Sequence, residues 1–441
     1  MLCPFNQEGC YRMKRTKILA IAAIASLTLS GCAAQEGAGD GDVAESTNVT
    51  VAAQAWMIDK FNMSAMVDTF EADNPGKTVT LVEYADNQAL SNFALQWSQG
   101  ESSQDIVVTD GASVGVQFLA RDLIVDFNTT DFFSGSTAKD RFIGETLAFT
   151  SLGDVQFSIP IGLETYNINA NKTFFAEAGL LNADGTIPNP TDWNDVYDMA
   201  AALTVREGGA VTRPGMTIQW GPNAVSTMIA VQQAVSGTLY KSDGETLTFD
   251  TPEMREVFEI WKKGADEGVF SIDTFANKDA GRSNFNAGNL PMLLQSVSHV
   301  AEATPTIGLE NGAVVAMPGS LENGSYGFTA GILVPTASTN QALALQFIKD
   351  AMMSDLQVGV GDQWGKLPVL TEHFDALDAP WRDTVYDLVK ISVAAPMYRD
   401  LARIQVDGKQ MLQEYLTGAM DLNTFVDGLE AMIDGADKNP L

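Results

Sequence analysis

Residues 78–109 read TVTLVEYADNQALSNFALQWSQGESSQDIVVT, and this stretch decides the fold class. It begins and ends with β-prone runs at 78–84 and 105–109, and the second run is apolar enough for a buried strand. Residues 88–97 lie between the two runs and predict a helix. Two strands connected through a helix form the unit from which parallel sheets are built.

The residues before this stretch extend the same unit toward the N-terminus. Residues 49–53 form another β-prone run, and residues 64–71 have apolar side chains at helical spacing. The sequence Asn74-Pro75-Gly76 then ends that helix. The β-α-β-α-β order predicts an α/β fold with a parallel, doubly wound sheet, in which ligands bind beyond the carboxyl ends of the strands.

A second α/β set follows Tyr166, and the chain beyond residue 48 is long enough for two domains. Its predicted helices cover 174–178, 193–203, 225–235 and 252–267, and its predicted strand covers 217–220. Thr191 or Asp192 is a natural N-cap for the second of these helices.

Residues 13–32, MKRTKILAIAAIASLTLSGC, have the features of an export signal. A basic start precedes an apolar run at 18–29, which is shorter than the roughly 20 residues that a spanning helix needs. The run ends in Leu29-Ser30-Gly31-Cys32, which resembles the lipobox of bacterial lipoproteins. The resemblance implies a signal peptide at 1–31 and a lipid anchor on Cys32. A plain signal peptide and a short membrane anchor are the alternatives.

Met13 is a better start for this signal than Met1. With that start Cys3 and Cys10 are never made, so we expect no disulfide and no cysteine metal site. Residues 32–48 are expected to form the lipidated tether, because the small polar sequence GAGDGDVAESTN at 37–48 cannot bury a core.

The chain is strongly acidic, with 56 acidic and 26 basic residues and a formal net charge of −30. Such a field repels phosphate backbones, so we expect no nucleic-acid partner. It also argues against a polyanionic ligand, unless a local arginine overrides it. Two histidines and one lipidated cysteine do not provide the usual ligand set of a zinc site, and we expect no metal and no cofactor.

Several segments resemble, in the expected order, the signatures of one protein family. They are FEADNPG (70–76), DIVVTDGASVGVQFLARDLIVDF (105–127), IPIGLETYNINANKTFFAEAGL (159–180), NPTDWNDVYDMAAAL (189–203), FNAGNLPM (285–292), GFTAGILVP (327–335), NQALALQFIKDAMMSDLQ (340–357) and GKLPV (365–369). Each segment is weakly specific alone, but their order holds over residues 49–433. The chain therefore resembles the family 1 extracellular solute-binding proteins, the receptors of ATP-driven sugar importers of the maltose-binding type.

The resemblance implies two doubly wound α/β lobes joined by a multi-crossing hinge, the type II periplasmic binding protein architecture. The expected N-terminal lobe comprises 49–163 plus 329–372, and the expected C-terminal lobe comprises 164–328 plus 373–441. Hinge crossings are expected near 159–166, 326–334 and 367–377. Such a receptor is a monomer without enzymatic activity that closes on a small-molecule sugar and delivers it to the permease subunits of an importer.

Sugar sites pair carboxylates and amides with aromatic rings, because sugars present hydroxyl edges and apolar faces. Candidate ligand contacts lie at strand ends, at the crossings and in the loop after FNAGNLPM. They are Trp56, Asp59, Asp110, Glu164, Tyr166, Trp220, Ser298, His299 and Trp364. Tyr166 could instead serve the hinge, and each tryptophan could instead pack in a core. Trp193, Trp261 and Trp381 lie in helical patterns and are assigned to the core.

The residues leave three alternatives open. The loop 295–299 lacks the tryptophan that many sugar receptors place there, a departure that counts against a simple disaccharide site. A polyamine or a glycerol phosphate is the alternative ligand. Residues 111–115, GASVG, spell the G-x-S-x-G pattern of serine hydrolases, which would make Ser113 a nucleophile. However, neither histidine has a supporting motif beside it. Arg399 and Arg403 could hold an acidic ligand, but they fit a surface role better.

Overall fold

The computed structural model describes residues 47–86, 88–144, 146–221 and 223–441. The predicted signal peptide, Cys32 and nearly all of the predicted tether lie outside the described residues. Within the described residues no helix is both long and apolar enough to cross a membrane.

The strands alternate with helices along most of the chain. They are β1 Asn48–Ala53, β2 Thr78–Glu83, β3 Ile106–Thr109, β4 Ser151–Leu152, β5 Val155–Gln156, β6 Ile159–Asn171, β7 Val205–Glu207, β8 Ala210–Arg213, β9 Met216–Ile218, β10 Phe270–Ser271, β11 Met292–Ser296, β12 Gly312–Val315 and β13 Gly327–Leu333. The predicted runs at 49–53, 78–84 and 105–109 are confirmed as β1, β2 and β3. Every residue of β3 is buried, as expected for a parallel strand covered on both faces.

The helices of the described residues are α1 Ala55–Lys60, α2 Met63–Asp73, α3 Leu90–Ser98, α4 Val116–Leu119, α5 Lys172–Glu177, α6 Trp193–Leu203, α7 Ala224–Ser236, α8 Pro252–Asp266, α9 Ala280–Asn286, α10 Ser298–Ile307, α11 Ser320–Asn323, α12 Gln341–Phe347, α13 Leu356–Trp364, α14 Thr371–Asp375, α15 Arg382–Val389, α16 Leu401–Leu416 and α17 Leu422–Asp434. The N-cap of α6 is Asp192, whose side chain accepts from the backbone N–H of Asp195. Pro252 starts α8 after the Thr251 cap, where its missing N–H costs nothing.

One long strand, β6, connects the two halves of the sheet. Its first part pairs antiparallel with β13, which pairs with β3, and the sheet continues through β1 to β2 with β1 parallel to both neighbours. Its second part pairs antiparallel with β11 and β12, and β11 continues in parallel to β9 and β10. The predicted α/β fold with a parallel core is confirmed.

Two large apolar clusters define two lobes. The first lobe packs β1, β3, α2, the start of β6, β13 and α12 to α15 around Phe61, Phe70 and Phe347. The second lobe packs the end of β6, β9, β11, α6 to α8, α16 and α17 around Trp220, Phe258 and Trp261. Helix α10 contacts both lobes, because Val300 and Ala301 pack in the first cluster whereas Ala303 packs beside Phe285 of the second lobe.

The predicted boundary at residue 373, where the chain was expected to pass to the C-terminal lobe, lies too early in the chain. Phe374, Trp381 and Val389 pack in the first cluster, so α14 and α15 belong with the first lobe. For the same reason the predicted third crossing near 367–377 is wrong. Leu367 pairs with Leu163 inside the first lobe, and the chain passes to the second lobe near Val393, which bridges to Tyr326. The crossings at 159–166 and 326–334 coincide with β6 and β13.

Candidate functional site

A cleft with a volume of about 1440 Å³ lies between the two lobes. First-lobe residues at the ends of β1 and β3 line one wall, and residues of α9, α10 and β11 line the other. The two strands that connect the lobes, β6 and β13, form its floor. The cleft therefore lies at the carboxyl ends of the first-lobe parallel strands, where the α/β order predicts a ligand.

Asp110 follows β3 directly and lines the cleft. Its side chain is open to the cleft, and among the described residues it forms no ion pair within 4.0 Å. The low-dielectric surroundings raise the pKa of the Asp110 carboxyl above its usual value, although Lys366 opposes this increase. The position suits a carboxylate that accepts hydrogen bonds from a bound molecule.

Glu164 lies on β6 at the cleft floor and is buried, with 4% of its surface exposed. Its Oε2 atom is 2.5 Å from the Nζ atom of Lys366, which follows Gly365 at the end of α13. Its Oε1 atom is buried and has no hydrogen-bond partner among the described residues. One oxygen of this carboxylate is therefore held by the protein, and the other is available to a ligand.

Aromatic rings line the same floor. Tyr166 is 2% exposed, and its ring centroid lies 5.5 Å from that of Tyr326 and 5.8 Å from that of Phe328. Burial raises the pKa of the Tyr166 and Tyr326 hydroxyls, which therefore stay protonated. At the cleft mouth Trp56 is 36% exposed, with its indole N–H donating to Gln54. Trp56 thus offers an open ring face for stacking.

A charged network joins the first-lobe wall to α10. Lys60 of α1 lies with its Nζ atom 2.9 Å from Oε1 of Glu302 and 3.5 Å from the ring centre of Trp364. The other Glu302 oxygen accepts from the Asn286 side chain at 2.9 Å and lies 3.4 Å from His299 Nδ1. Burial raises the pKa of Glu302, but His299 and Lys60 outweigh it and bring this pKa below the usual range. These contacts hold the first lobe against α10.

His299 and Ser298 begin α10 and face the cleft. Burial lowers the pKa of the His299 imidazole, which favours the neutral ring despite the nearby Glu302 carboxylate. The Ser298 hydroxyl lies 3.0 Å from that of Ser296 at the end of β11. Neutral imidazole and hydroxyl groups both donate and accept, which suits hydroxyl ligands.

The structure places six of the nine predicted ligand residues on the cleft. They are Trp56, Asp110, Glu164, Tyr166, Ser298 and His299. Trp220 is not on the cleft: it is 1% exposed and packs edge-on against Trp261 at 4.8 Å and parallel to Phe275 at 5.8 Å. Asp59 lies on the outer face of α1, exposed to solvent, and Trp364 lies behind Lys60 against the first-lobe core. The structure therefore places these three residues outside the cleft lining.

The structure also shows where the other singled-out residues lie. Trp193, Trp261 and Trp381 are buried, as predicted. Ser113 lines the cleft, but no hydrogen bond connects its hydroxyl with either histidine in the part of the chain described. Arg399 lines the cleft mouth and pairs with Asp437 at 2.9 Å, whereas Arg403 pairs with Asp400 outside the cleft.

Sequence reasoning missed most of the charged residues of the cleft. They are Lys60, Arg121, Lys278, Arg282, Glu302 and Lys366, and the missed aromatic residues are Tyr326 and Phe328. Lys366 lies in the GKLPV segment and Tyr326 begins the second crossing, so these two residues could have been predicted as cleft residues from the family motifs. The described residues contain no cluster of histidine, cysteine and acidic side chains that could hold a metal ion.

The fold and the cleft define a two-lobed ligand-binding protein. A family model described as bacterial extracellular solute-binding protein matches residues 65–385. The chain therefore belongs to the bacterial extracellular solute-binding protein family, whose members are extracytoplasmic receptors rather than enzymes. No curated protein is similar enough in sequence to match the chain.

Solved structures of sugar receptors share this fold at low sequence identity. The GacH receptor of Streptomyces glaucescens is 16% identical, with a TM-score of 0.71 over 89% of this chain and 98% of that chain. The sugar-binding protein MalE from Xanthomonas citri is 15% identical, with a TM-score of 0.73 over 88% and 96%. The cyclic alpha-maltosyl-1,6-maltose binding protein from Arthrobacter globiformis is 19% identical, with a TM-score of 0.68 over 89% and 99%. The type II periplasmic binding protein architecture is thereby established.

Proposed function

We propose that this chain is the substrate-binding lipoprotein of an ATP-driven importer. It captures a carbohydrate, most simply an oligosaccharide, in the cleft between its lobes and delivers it to the membrane permease subunits. Lipid on Cys32 and the tether at 32–48 keep the receptor close to the importer. Structures with a similar fold support the sugar assignment, since those proteins were solved with acarbose, maltose, cycloalternan or D-mannitol.

The observation that carries the proposal is the buried, unpartnered Oε1 atom of Glu164 on the cleft floor. A buried oxygen without a donor is costly, and a ligand hydroxyl would satisfy it. Asp110 offers a second acceptor, and Trp56 offers an apolar face at the mouth. The cleft volume of about 1440 Å³ exceeds the 300–1,000 Å³ of typical small-molecule pockets, which leaves room for more than one sugar ring.

We expect one group of sugars to raise the melting temperature of the purified protein in a thermal-shift screen of mono- and oligosaccharides. Selective binding to the native state contributes about 2.7 kcal/mol when the ligand is at 100 times its Kd.

Replacing Asp110 by asparagine should then weaken binding roughly ten- to hundredfold, because a hydrogen bond to a charged group contributes about 1.5–3 kcal/mol. Titration calorimetry with the stabilising sugar measures this loss.

Asp59→Asn is the matched control, since Asp59 is also an exposed aspartate of the first lobe but lies outside the cleft. Its affinity should equal that of the wild type. Stabilisation by polyamines or glycerol phosphate, with no response to any sugar, would overturn the sugar assignment. Equal losses in Asp59→Asn and Asp110→Asn would show that Asp110 does not contact the ligand.

Cys32→Ser should release the protein from the membrane fraction of expressing bacteria. A serine hydroxyl cannot accept the thioether-linked lipid, so the chain would lose its anchor. Fractionation followed by immunoblotting, together with metabolic labelling by a radioactive fatty acid, checks both consequences. Ala33→Ser serves as the control because it changes the neighbouring residue and keeps the thiol. Continued labelling of the Cys32→Ser protein would refute the lipid anchor.

A further inference from the structure

The charges that line the cleft are opposite in balance to those of the whole chain. The chain has 56 acidic and 26 basic residues, whereas the described cleft lining has more basic than acidic side chains. The acidic ones are Asp110, Glu164 and Glu302, and the basic ones are Lys60, Arg121, Lys278, Arg282, Lys366 and Arg399. A local positive field inside an acidic protein requires an explanation, because charge that serves solubility alone would follow the overall balance.

Ion pairs within the protein account for only part of this excess. Lys366 is held by Glu164 at 2.5 Å, Lys60 by Glu302 at 2.9 Å, and Arg399 by Asp437 at 2.9 Å. Among the described residues, no acidic side chain lies within 4.0 Å of the basic groups of Lys278 or Arg282. Both belong to the second-lobe wall: Arg282 lies in α9, and Lys278 lies two residues before the helix begins.

Of these two residues, Arg282 gives the stronger indication of a bound anion. Its side chain lines the cleft, and its Nε atom is buried and has no hydrogen-bond acceptor in the part of the chain that the structure describes. A charged donor that is removed from water and has no acceptor destabilises the protein. The ligand-free protein therefore has a buried donor at Arg282 that a ligand acceptor could satisfy. Nε and one terminal nitrogen of a guanidinium form a planar fork that matches two oxygens of a single anionic group.

We propose that the ligand is an acidic sugar, with one carboxylate or phosphate group held by Arg282 on the second-lobe wall. This inference rests on the proposed function, since the sugar hydroxyls engage Asp110 on the first-lobe wall and Glu164 on the cleft floor. Lys278 adds long-range attraction for the same anion. Asp110, which has no ion-pair partner among the described residues, and the strongly negative chain disfavour a ligand with many charges, which limits the ligand to one anionic group near Arg282.

The test uses matched triples of ligands: a neutral hexose, the hexuronate with the same stereochemistry and the hexose 6-phosphate, together with neutral and uronate disaccharides. Titration calorimetry with the wild-type protein should show an acidic member binding about tenfold or more tightly than its neutral counterpart. The hexuronate and phosphate arms identify which anion is the natural group. The preference should decrease at higher ionic strength, because part of it is electrostatic.

Arg282→Gln should abolish the preference for the acidic member while retaining the weaker binding of the neutral one. Arg282→Lys keeps the charge without the fork and should retain only part of the preference. Arg403→Gln is the matched control, since it removes one positive charge outside the cleft, and it should leave the preference unchanged. Melting curves of the ligand-free variants identify any that fail to fold, in which case Arg282→Lys carries the test.

Two results would overturn the inference while leaving the proposed function intact. One is a neutral sugar that binds as tightly as its acidic counterparts in the wild type. The other is an acidic preference that survives in Arg282→Gln. If no member of any triple binds, the sugar assignment fails, and the acidic-sugar inference fails with it.

Discussion

Lys366→Met is expected to lower the free energy of unfolding by about 3–5 kcal/mol. Lys366 is the ion-pair partner of Glu164, and the side chains of the two residues are only 13% and 6% exposed. Methionine has a similar length but no charge, so the Glu164 carboxylate would stay buried without compensation. Removing one member of a buried pair is more damaging than removing both, because the remaining charge keeps its full desolvation cost.

The double variant Lys366→Met with Glu164→Gln should recover most of the lost stability. Lys390→Met is the matched control, because the Lys390–Asp387 pair has 45% and 55% exposed side chains. Exposed pairs contribute about 0–1 kcal/mol, so the control should unfold nearly like the wild type. Urea denaturation followed by circular dichroism measures all four proteins. A loss in Lys366→Met no greater than in Lys390→Met would contradict the proposed burial of the charge.

The first lobe could be predicted from sequence because its elements are local patterns. The apolar runs of β1 and β3 and the helical spacing of α2 each fall within a dozen residues, and their order determines the parallel sheet. Asp110 was predicted for the same reason, since a polar residue directly after a buried strand lies at the carboxyl edge of the sheet.

Contacts between distant segments could not be predicted in this way. Glu164 and Lys366 are 202 positions apart, and no pattern in either segment indicates the other. Trp220 lies two residues after the end of β9, near where a ligand platform would be expected, but Trp261 of α8 and Phe275 enclose its ring. Whether an aromatic ring at a strand end is covered depends on the helix packed against it, and that packing is tertiary.

The wrong prediction of the third crossing also results from contacts between distant segments. The GKLPV segment resembles a hinge motif, and Leu367 does pair with β6 beside the first crossing. The chain then turns back into the first lobe, because Val369, Leu370 and Phe374 complete its core. The apolar spacing of α14 and α15 is compatible with either lobe, so only the assembled core decides the assignment.

Gly365→Ala is expected to raise the Kd for the ligand roughly tenfold or more. Gly365 ends α13 with φ +61°, a left-handed conformation that other residues adopt at a cost of about 1–2 kcal/mol. An added Cβ would lie 2.5 Å from the backbone Cα of Ser298 and 3.1 Å from the carbonyl oxygen of Val297. Val297 follows β11 of the second lobe and packs in the first cluster, so the methyl group would push the start of α10 away from α13 at the junction of the two lobes.

Backbone atoms cannot rotate away as a flexible side chain can, so relief requires movement of α10 relative to α13. Binding would then include the cost of closing against this clash, and the apparent Kd rises as the closed fraction falls. Small-angle scattering of the ligand-free and ligand-saturated variant should show a more open average shape than the wild type. Calorimetry with the sugar identified by the thermal screen measures the affinity.

Gly359→Ala is the control for helix propensity, because this glycine lies in the same helix and no atom of the described residues lies within 4 Å of an added Cβ. Alanine there should be neutral or stabilising by up to about 1 kcal/mol, with unchanged affinity. A lower melting temperature for Gly365→Ala combined with wild-type affinity would assign Gly365 to the folding of α13 alone. Weakened binding with little loss of stability would assign it to closure, because the energy of the clash is then borne by the closed cleft rather than by the fold.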